Sequence, residues 1–192
     1  LADGSEKLFW TTFTSEQIDI DVHSEAGQAY LTRILDQLEA AQVKMIRLDA
    51  AGYAVKKAGS RWFMTEDTFA FIEQFTQQAQ TRGMEVLVEI HAHYLTQVAI
   101  AKKADWVYDF ALPPLVLHTL IAKDSAPLKA WYDMAPRNAI TVLDTHDGIG
   151  IIDIAAEKSV GPGLLNDQQV NDLVNAIHSN SQEQSRKATG AA

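Results

Sequence analysis

The chain contains no cysteine, which excludes a disulfide framework and thiolate chemistry and fits a cytoplasmic location. No run of about 18 apolar residues occurs, so the sequence predicts no membrane-spanning helix. Positive charge is scarce: 16 lysines and arginines stand against 25 aspartates and glutamates, for a net charge of -9. That balance disfavours nucleic acid and anionic membranes as partners. G-x-G-x-x-G and P-loop signatures are also missing, which removes the usual support for nucleotide binding.

The remaining composition is that of an ordinary globular chain, with 47% hydrophobic and 21% charged residues. A length of 192 residues suffices to bury a core and indicates one domain or part of a larger one. The chain begins with Leu1 rather than methionine and stops abruptly after SRKATGAA. We therefore expect it to be an internal segment of a longer protein.

Four apolar runs predict strands that alternate with helices. They are VKMIRLD, EVLVEIH, WVYDFAL and AITVLDT, at residues 43–49, 85–91, 106–112 and 139–145. Continuous apolar runs of this kind are typical of buried parallel strands. Capping residues ahead of apolar residues at helical spacing predict the helices. These run from Ser24 to about Gln42, from Thr65 to Gly83, over about 96–103, from Pro113 onwards and from Asn166 onwards.

The alternation of strands and helices predicts an α/β fold with a parallel sheet, either part of a (β/α)8 barrel or an open doubly wound sheet. Two local patterns add detail. Before the first helix, apolar residues alternate with aspartates over 18–22, which predicts a short strand or an extended segment. Within that helix, the spacing predicts a core-facing stripe formed by Tyr30, Ile34, Leu38 and Ala41.

Ionisable side chains lie at the carboxyl end of each predicted strand. They are Arg47 and Asp49; Glu89, His91 and His93; Asp109; and Asp144, His146 and Asp147. In both candidate folds the active site lies at the carboxyl ends of the strands. Recurrence on several strands favours a shared site over separate structural ion pairs. Taken singly, Asp109, Asp144 and His93 are more typical of structural residues.

Three of these groups, Asp49, Glu89 and Asp147, could supply a nucleophile, a general acid/base and an electrostatic stabiliser. Retaining glycoside chemistry uses a carboxylate nucleophile and a carboxylic acid about 5–5.5 Å apart. Arg47 precedes Asp49 by two residues and points to the same side of the strand. Its guanidinium would orient Asp49 and keep it ionised.

A metal-dependent hydrolase is the alternative interpretation of the same residues. His91 and His93 have the spacing of paired ligands on one face of a strand. The other candidate ligands are Asp144, His146 and Asp147. The arginine beside Asp49 would repel a cation, so spacing favours carboxylate catalysis over metal catalysis.

Four segments resemble short conserved regions of glycoside hydrolase family 13, the α-amylase superfamily, in the family's order. They are QIDIDV, MIRLDAAGY, EVLVEIH and TVLDTHDGIG, at residues 17–22, 45–53, 85–91 and 141–150. The resemblance implies part of a (β/α)8 barrel, about strands 4–7 with their helices. It also implies three segments: 1–24 as the end of an inserted domain, 25–155 as barrel, and 156–192 as an insertion helix after strand 7.

Longer segments resemble the branch of this family that phosphorolyses sucrose. They are FWTTFTSEQIDIDV, VYDFALPPLVLHTL, LDTHDGIGIID and QSRKATGAA. The resemblance implies that Asp49 is the nucleophile, Glu89 the general acid/base and Asp147 the transition-state stabiliser. The substrate-binding residues that it implies are Arg47, His146, Phe13, Gln17, Tyr53 and His91. Trp10, by contrast, is expected in the core.

The same resemblance implies sucrose and phosphate as substrates, with no metal and no organic cofactor; the charge balance and the lack of a long apolar run predict no nucleic acid or membrane partner. The resemblance allows a homodimer of the full-length protein. Relatives that act on sucrose 6′-phosphate, glucosylglycerate or glucosylglycerol, and transglucosidases such as amylosucrase, share the three catalytic carboxylates. They remain alternatives, as does a sugar-binding relative without catalysis.

Overall fold

The structure is a computed structural model that describes residues 4–59 and 62–187. The chain divides into two compact units, Leu1–Val88 and Glu89–Ala192. The end of the QSRKATGAA motif, at 188–192, lies outside the described residues.

The described part of the first unit contains two helices and two strands. In chain order these are α1 (Glu25–Ala40), β1 (Met45–Leu48), a 3-10 turn (Ala51–Tyr53), α2 (Glu66–Gln80) and β2 (Glu85–Val88). The strands β1 and β2 pair in parallel, with Met45 opposite Glu85 and Leu48 opposite Val88. Helix α2 packs on β2, and its buried face includes Ile72, Phe75 and Ala79.

Both predicted helix caps of this unit are confirmed. Ser24 Oγ accepts the backbone N–H of Gly27 over 3.0 Å, and Thr65 Oγ1 accepts that of Thr68 over 3.3 Å. Gly83 follows α2 in the left-handed conformation, with φ of 71°, as its place after the helix predicts. Helix α1 ends at Ala40 rather than near Gln42.

The predicted core stripe of α1 is confirmed in part: Ile34 and Leu38 are half-buried, whereas Tyr30 and Ala41 are exposed. Leu35 is fully buried, whereas Tyr30 is 44% exposed. The chain before the helix lies close to its first turn, since a Cβ on Gly27 would clash with the carbonyl oxygen of Asp21. The stretch before the helix, residues 18–22, lies in none of the described strands, and it buries Val22 while leaving Ile18 exposed.

The second unit contains four helices and two strands among its described residues. In chain order these are α3 (Tyr94–Ile100), β3 (Trp106–Asp109), α4 (Leu112–Ala122), α5 (Ala126–Met134), β4 (Ala139–Thr141), a 3-10 turn (Ile151–Ile154), α6 (Asp167–Asn180) and a 3-10 turn (Gln184–Lys187). Strands β3 and β4 pair in parallel, with Val107 opposite Ala139 and Asp109 opposite Thr141.

The core of the second unit forms where α4 meets α5 and α6. Its buried residues are Tyr94, Ala111, Leu115, Trp131, Ile154, Leu165 and Leu173. Asn166 caps α6 in a reciprocal capping box with Gln169, which confirms the predicted helix start. Two prolines occupy the first turn of α4, as the sequence predicts.

The predicted strands of this unit are longer than the observed ones. β3 ends at Asp109 because that side chain accepts the backbone N–H of Leu112, which starts α4, over 3.0 Å. β4 ends at Thr141, and Leu143 beyond it is 66% exposed. The apolar character of 142–143 therefore does not reflect strand pairing.

Parallel strands alternating with helices confirm the predicted α/β class. Over the described ranges, none of the helices combines the length and the hydrophobicity that crossing a bilayer requires. The division of the chain at residues 24 and 155 stays a prediction.

Candidate active site

The end of β1 carries the predicted nucleophile. Arg47 lies within β1 and Asp49 follows the strand directly. The Arg47 Nη2 atom lies 3.5 Å from Asp49 Oδ1, so the structure brings this predicted pair together. Ala50 then adopts a left-handed conformation with φ of 46°, which is uncommon for a residue with a Cβ and turns the chain sharply after Asp49.

Aromatic rings gather around Tyr53 in the same unit. Phe13 meets Tyr53 edge to face at 5.7 Å between ring centroids, and Phe63 lies 4.7 Å away on another side. Lys56 Nζ lies 5.6 Å from the Tyr53 centroid and donates to the Tyr53 carbonyl oxygen. Phe13 and Tyr53, both predicted to bind substrate, are therefore neighbours on the surface of this unit.

Gln17 and Trp10 are two further residues of this unit for which the sequence makes a prediction. Gln17 is exposed and closes a turn in which its backbone N–H donates to the Thr14 carbonyl over 3.1 Å. Trp10 was expected in the core, and this expectation is wrong because its ring is 44% exposed and packs edge to face on Trp62 at 5.4 Å. Trp10 and Trp62 thus form an aromatic pair separate from the Phe13–Tyr53 contact.

The second unit brings together three predicted site residues. One ligand atom each from Glu89, His91 and Asp147 lies within 4.8 Å of the other two. Glu89 directly follows β2 and is only 5% exposed, whereas Asp147 is exposed on a loop after β4. The two acidic side chains therefore differ in their exposure to solvent.

A tight turn positions Asp147. The backbone N–H of Gly148 donates to the Thr145 carbonyl over 3.0 Å, and Gly148 has φ of 81°, a conformation that favours glycine. His146 Nε2 lies 3.4 Å from Asp147 Oδ2, so these two predicted neighbours are in contact. Asp144 accepts the backbone N–H of Thr145 over 2.8 Å and supports the same loop.

His91 contacts a residue that the sequence analysis did not single out. Its Nδ1 atom lies 3.3 Å from Asp153 Oδ2, and its ring stacks on Phe110 at 3.8 Å between centroids. This hydrogen bond is the main cause that raises the pKa of His91; burial opposes it, and the charges of Asp153, Asp147 and Glu89 add to it. Burial raises the pKa of Asp153 itself, and the contact with His91 opposes that rise. An aspartate within the apolar run IIDIAA was the signal available in the sequence.

His93 is buried, and both of its ring nitrogens are engaged. The backbone N–H of Leu95 donates to Nδ1 over 3.2 Å, so this nitrogen is an acceptor. Nε2 lies 3.0 Å from the Pro162 carbonyl, which can only accept, so Nε2 carries the proton. His93 is thereby a structural residue with no nitrogen left for a metal.

The geometry that could hold a metal ion differs from the predicted ligand set. Among the described residues, the cluster is Glu89, His91 and Asp147. Of the ligands that the metal interpretation named, His91 and Asp147 belong to this cluster. His93 does not, for the reason just given, and Glu89 takes its place.

No protein-family model matches the chain. A sucrose phosphorylase of Agrobacterium vitis is 57% identical to it over 189 residues, which are 98% of this chain and 39% of that protein. The chain is a homologue of sucrose phosphorylases. A second sucrose phosphorylase, from Bifidobacterium adolescentis, is 49% identical over 98% of this chain and 38% of its own length.

A solved structure supports the fold. The sucrose 6F-phosphate phosphorylase of Thermoanaerobacter thermosaccharolyticum matches 86% of this chain and 34% of its own chain, with a TM-score of 0.75 and 35% identity. The predicted fold, an α/β chain that forms part of a (β/α)8 barrel, is thereby confirmed. The chain spans about 39% of the length of the sucrose phosphorylase that it matches at 57% identity, as expected of a segment.

Proposed function

We propose that the full-length protein containing this segment is a sucrose phosphorylase. It would convert sucrose and phosphate into α-glucose 1-phosphate and fructose with retention at the anomeric carbon. The observation that carries the proposal is the identity of 57% and 49% to two sucrose phosphorylases over 98% of the chain. The close approach of Glu89, His91 and Asp147 supports it, because acid/base and stabilising groups must converge on one bond.

In the first half-reaction, Asp49 attacks the anomeric carbon of the glucosyl unit. The bond from that carbon to the fructosyl oxygen breaks as the bond to the Asp49 carboxylate forms. Glu89 gives its proton to the departing fructosyl oxygen, so fructose leaves neutral. Asp147 stabilises the positive charge that develops on the glucosyl ring, since an oxocarbenium-like transition state gains from a nearby carboxylate.

In the second half-reaction, a phosphate oxygen attacks the anomeric carbon of the glucosyl ester. The ester bond to Asp49 breaks, and the proton of the attacking phosphate passes to Glu89. Two inversions give net retention, so the product is the α-anomer. Arg47 and His146 would hold the two aspartates, while Phe13, Gln17, Tyr53 and His91 would contact sucrose and phosphate.

The experiment uses the full-length enzyme with sucrose, in the presence and absence of phosphate. We expect α-glucose 1-phosphate only when phosphate is present. Asp49→Asn should abolish its formation, and Glu89→Gln should slow it by about 10²–10⁴-fold, the usual contribution of a general acid/base. Asp133→Asn is the matched control, because this exposed carboxylate pairs with Lys129 on the surface of α5. Full activity in Asp49→Asn would overturn the proposal.

A specific observation favours one alternative substrate, sucrose 6′-phosphate. The solved structure with a TM-score of 0.75 is a sucrose 6F-phosphate phosphorylase, at 35% identity. We propose sucrose because the identity to the two sucrose phosphorylases is higher over more of the chain. Comparing kcat/KM for sucrose and sucrose 6′-phosphate decides between them, and a higher value for the phosphorylated sugar would assign the alternative.

We further propose that no metal or organic cofactor takes part and that the enzyme acts in the cytoplasm. The hydrogen-bonded state of His93 supports the first point, because it removes one of the two paired ligands of the metal interpretation. Activity should survive exhaustive chelation with EDTA. Loss of activity that a divalent metal restores would assign the Glu89, His91 and Asp147 cluster to a metal instead.

A further inference from the structure

Asp153 is a fully buried carboxylate in the 3-10 turn Ile151–Ile154. Its Oδ2 atom lies 3.3 Å from His91 Nδ1, and its Oδ1 atom has no hydrogen-bond partner among the described residues. Burying a carboxylate with an oxygen unpaired is costly. A buried carboxylate with one unpaired oxygen indicates a functional role. The side-chain contact described for Asp153 is the one to His91.

The ring of His91 is held in one orientation from several directions. Phe110 stacks on it with an angle of 20° between the ring planes. Gly150 leaves the space that the His91–Asp153 contact needs, since a Cβ there would clash with Asp153 Oδ2 and lie 3.4 Å from His91 Nδ1. Asp153 completes the arrangement, because an ionised carboxylate only accepts and therefore keeps a proton on Nδ1.

The charges around His91 favour its cationic form. Asp153 faces the ring from the 3-10 turn, Asp147 from the loop after β4, and Glu89 from the chain two residues earlier. The other ring nitrogen, Nε2, is buried and has no hydrogen-bond partner among the described residues, so it can donate to an anionic acceptor oxygen when the ring carries both protons.

We propose that Asp153 is a positioning residue that selects the acceptor in the second half-reaction. It holds the His91 ring beside Glu89 and Asp147, so that phosphate rather than water reaches the glucosyl ester. The inference rests on the proposed function and on the contact with substrate that it gives to His91. It predicts that loss of Asp153 harms the use of phosphate more than the cleavage of sucrose.

The first experiment compares Asp153→Ala and Asp153→Asn in the full-length enzyme. We expect Asp153→Ala to raise the KM for phosphate by about 10-fold or more, the loss typical of one charge-assisted hydrogen bond. The ratio of glucose 1-phosphate to free glucose should fall, while fructose release without phosphate falls by a smaller factor. Asparagine keeps an accepting oxygen, so Asp153→Asn should recover part of the loss. Asp133→Asn serves as the surface control.

Two variants keep the test decisive if Asp153→Ala folds poorly. Gly150→Ala retains both partners but pushes them apart, and it should reproduce the shift toward free glucose. In a His91→Gln background, Asp153→Asn should change the product ratio by less than about 2-fold, because coupled residues lose their effects together. An equal effect of Asp153→Asn in both backgrounds, or equal losses of hydrolysis and phosphorolysis, would reduce Asp153 to a structural residue.

A readout without turnover separates this inference from the proposed function. In enzyme labelled with ¹⁵N-histidine, the His91 signals are identified by their absence in His91→Gln. We expect a protonated Nδ1 in the wild type and a changed nitrogen shift in Asp153→Asn and Gly150→Ala. Unchanged shifts would overturn the positioning role even in an active phosphorylase. Changed shifts in a protein that makes no glucose 1-phosphate would leave the contact standing, whereas the assigned reaction and the acceptor selection would fail.

Discussion

The indole nitrogen of Trp131 donates a hydrogen bond to Asp109 Oδ1 over 3.0 Å in the core of the second unit. The same oxygen accepts the backbone N–H of Leu112 over 3.0 Å. One carboxylate at the end of β3 thereby connects the start of α4 with the middle of α5. This finding gives Asp109 a structural role, and its partners are a helix start and an indole rather than a neighbouring strand.

Replacing Asp109 tests this connection. Asp109→Ala leaves the buried indole N–H without an acceptor and should lower the free energy of unfolding by about 1–3 kcal/mol. Asp109→Asn keeps an accepting oxygen and should cost less. Urea denaturation of the full-length protein measures both. In a Trp131→Phe background the donor is gone, so the loss from Asp109→Ala should shrink; an undiminished loss would show that the hydrogen bond contributes nothing.

The pH dependence of stability follows from the burial of the same group. Burial raises the pKa of Asp109 above its ordinary value of 3.8, and the hydrogen bonds from Leu112 and Trp131 oppose this. A carboxyl whose pKa is higher in the folded state stabilises most below its unfolded pKa and loses that contribution as pH rises through the folded pKa. Relative to Asp109→Asn, the wild type should therefore become less stable as pH rises above about 4. Parallel stability curves for the two proteins from pH 3.5 to 7 would contradict the shift.

His93 is predicted to stabilise the fold without serving catalysis. His93→Ala removes the acceptor that caps α3 and the donor to Pro162, so unfolding should become easier by about 1–2 kcal/mol. Asparagine is a favoured capping residue, and His93→Asn should recover part of that loss. Thermal and urea denaturation give the stability, and kcat measured well below the melting temperature gives the comparison. A large drop in kcat with unchanged stability would show that His93 takes part in catalysis.

The contact between Phe13 and Tyr53 makes a prediction about sucrose binding. If both rings line the sugar pocket, Phe13→Ala and Tyr53→Ala should each raise the KM for sucrose by about 3–10-fold, in line with the 0.5–1.5 kcal/mol of an aromatic contact. The double variant should lose less than the product of the single effects, because the rings touch. Trp62→Ala is the control, since this exposed ring contacts Trp10 instead. Strict multiplication of the single effects would argue that the rings act independently.

Local patterns predicted well what depends on neighbours in sequence. Ser24, Thr65 and Asn166 each cap the helix expected of them, because an N-cap hydrogen bond spans only two or three residues. The predicted strands extend too far at their carboxyl ends. Hydrophobicity continues past Asp109 and Thr141, whereas pairing stops where a side chain starts a helix or where the partner strand ends.

Burial and site contacts were predicted less completely. Tyr30 was expected to face the core but is exposed, whereas Leu35, which was not singled out, is fully buried. The recurrence of charged residues at strand ends predicted one shared site for all of them, and among these residues Glu89, His91 and Asp147 form a cluster. The sequence did not predict the role of Asp153, because its contact to His91 joins residues 62 positions apart and depends on how the chain returns from β4.

Side-chain chemistry and short-range geometry were enough to predict the alternation of strands and helices, the helix caps, and the carboxylates and histidines at the strand ends. The four motifs of the sequence were also enough to indicate the relationship that the comparisons bear out. Only contacts between distant parts of the chain distinguish His91, which lies in the candidate site, from His93, which is structural. His93 and His91 stand two residues apart with the same chemistry, but one is fully hydrogen-bonded to the backbone and the other meets a buried carboxylate, because long-range packing assigns their partners.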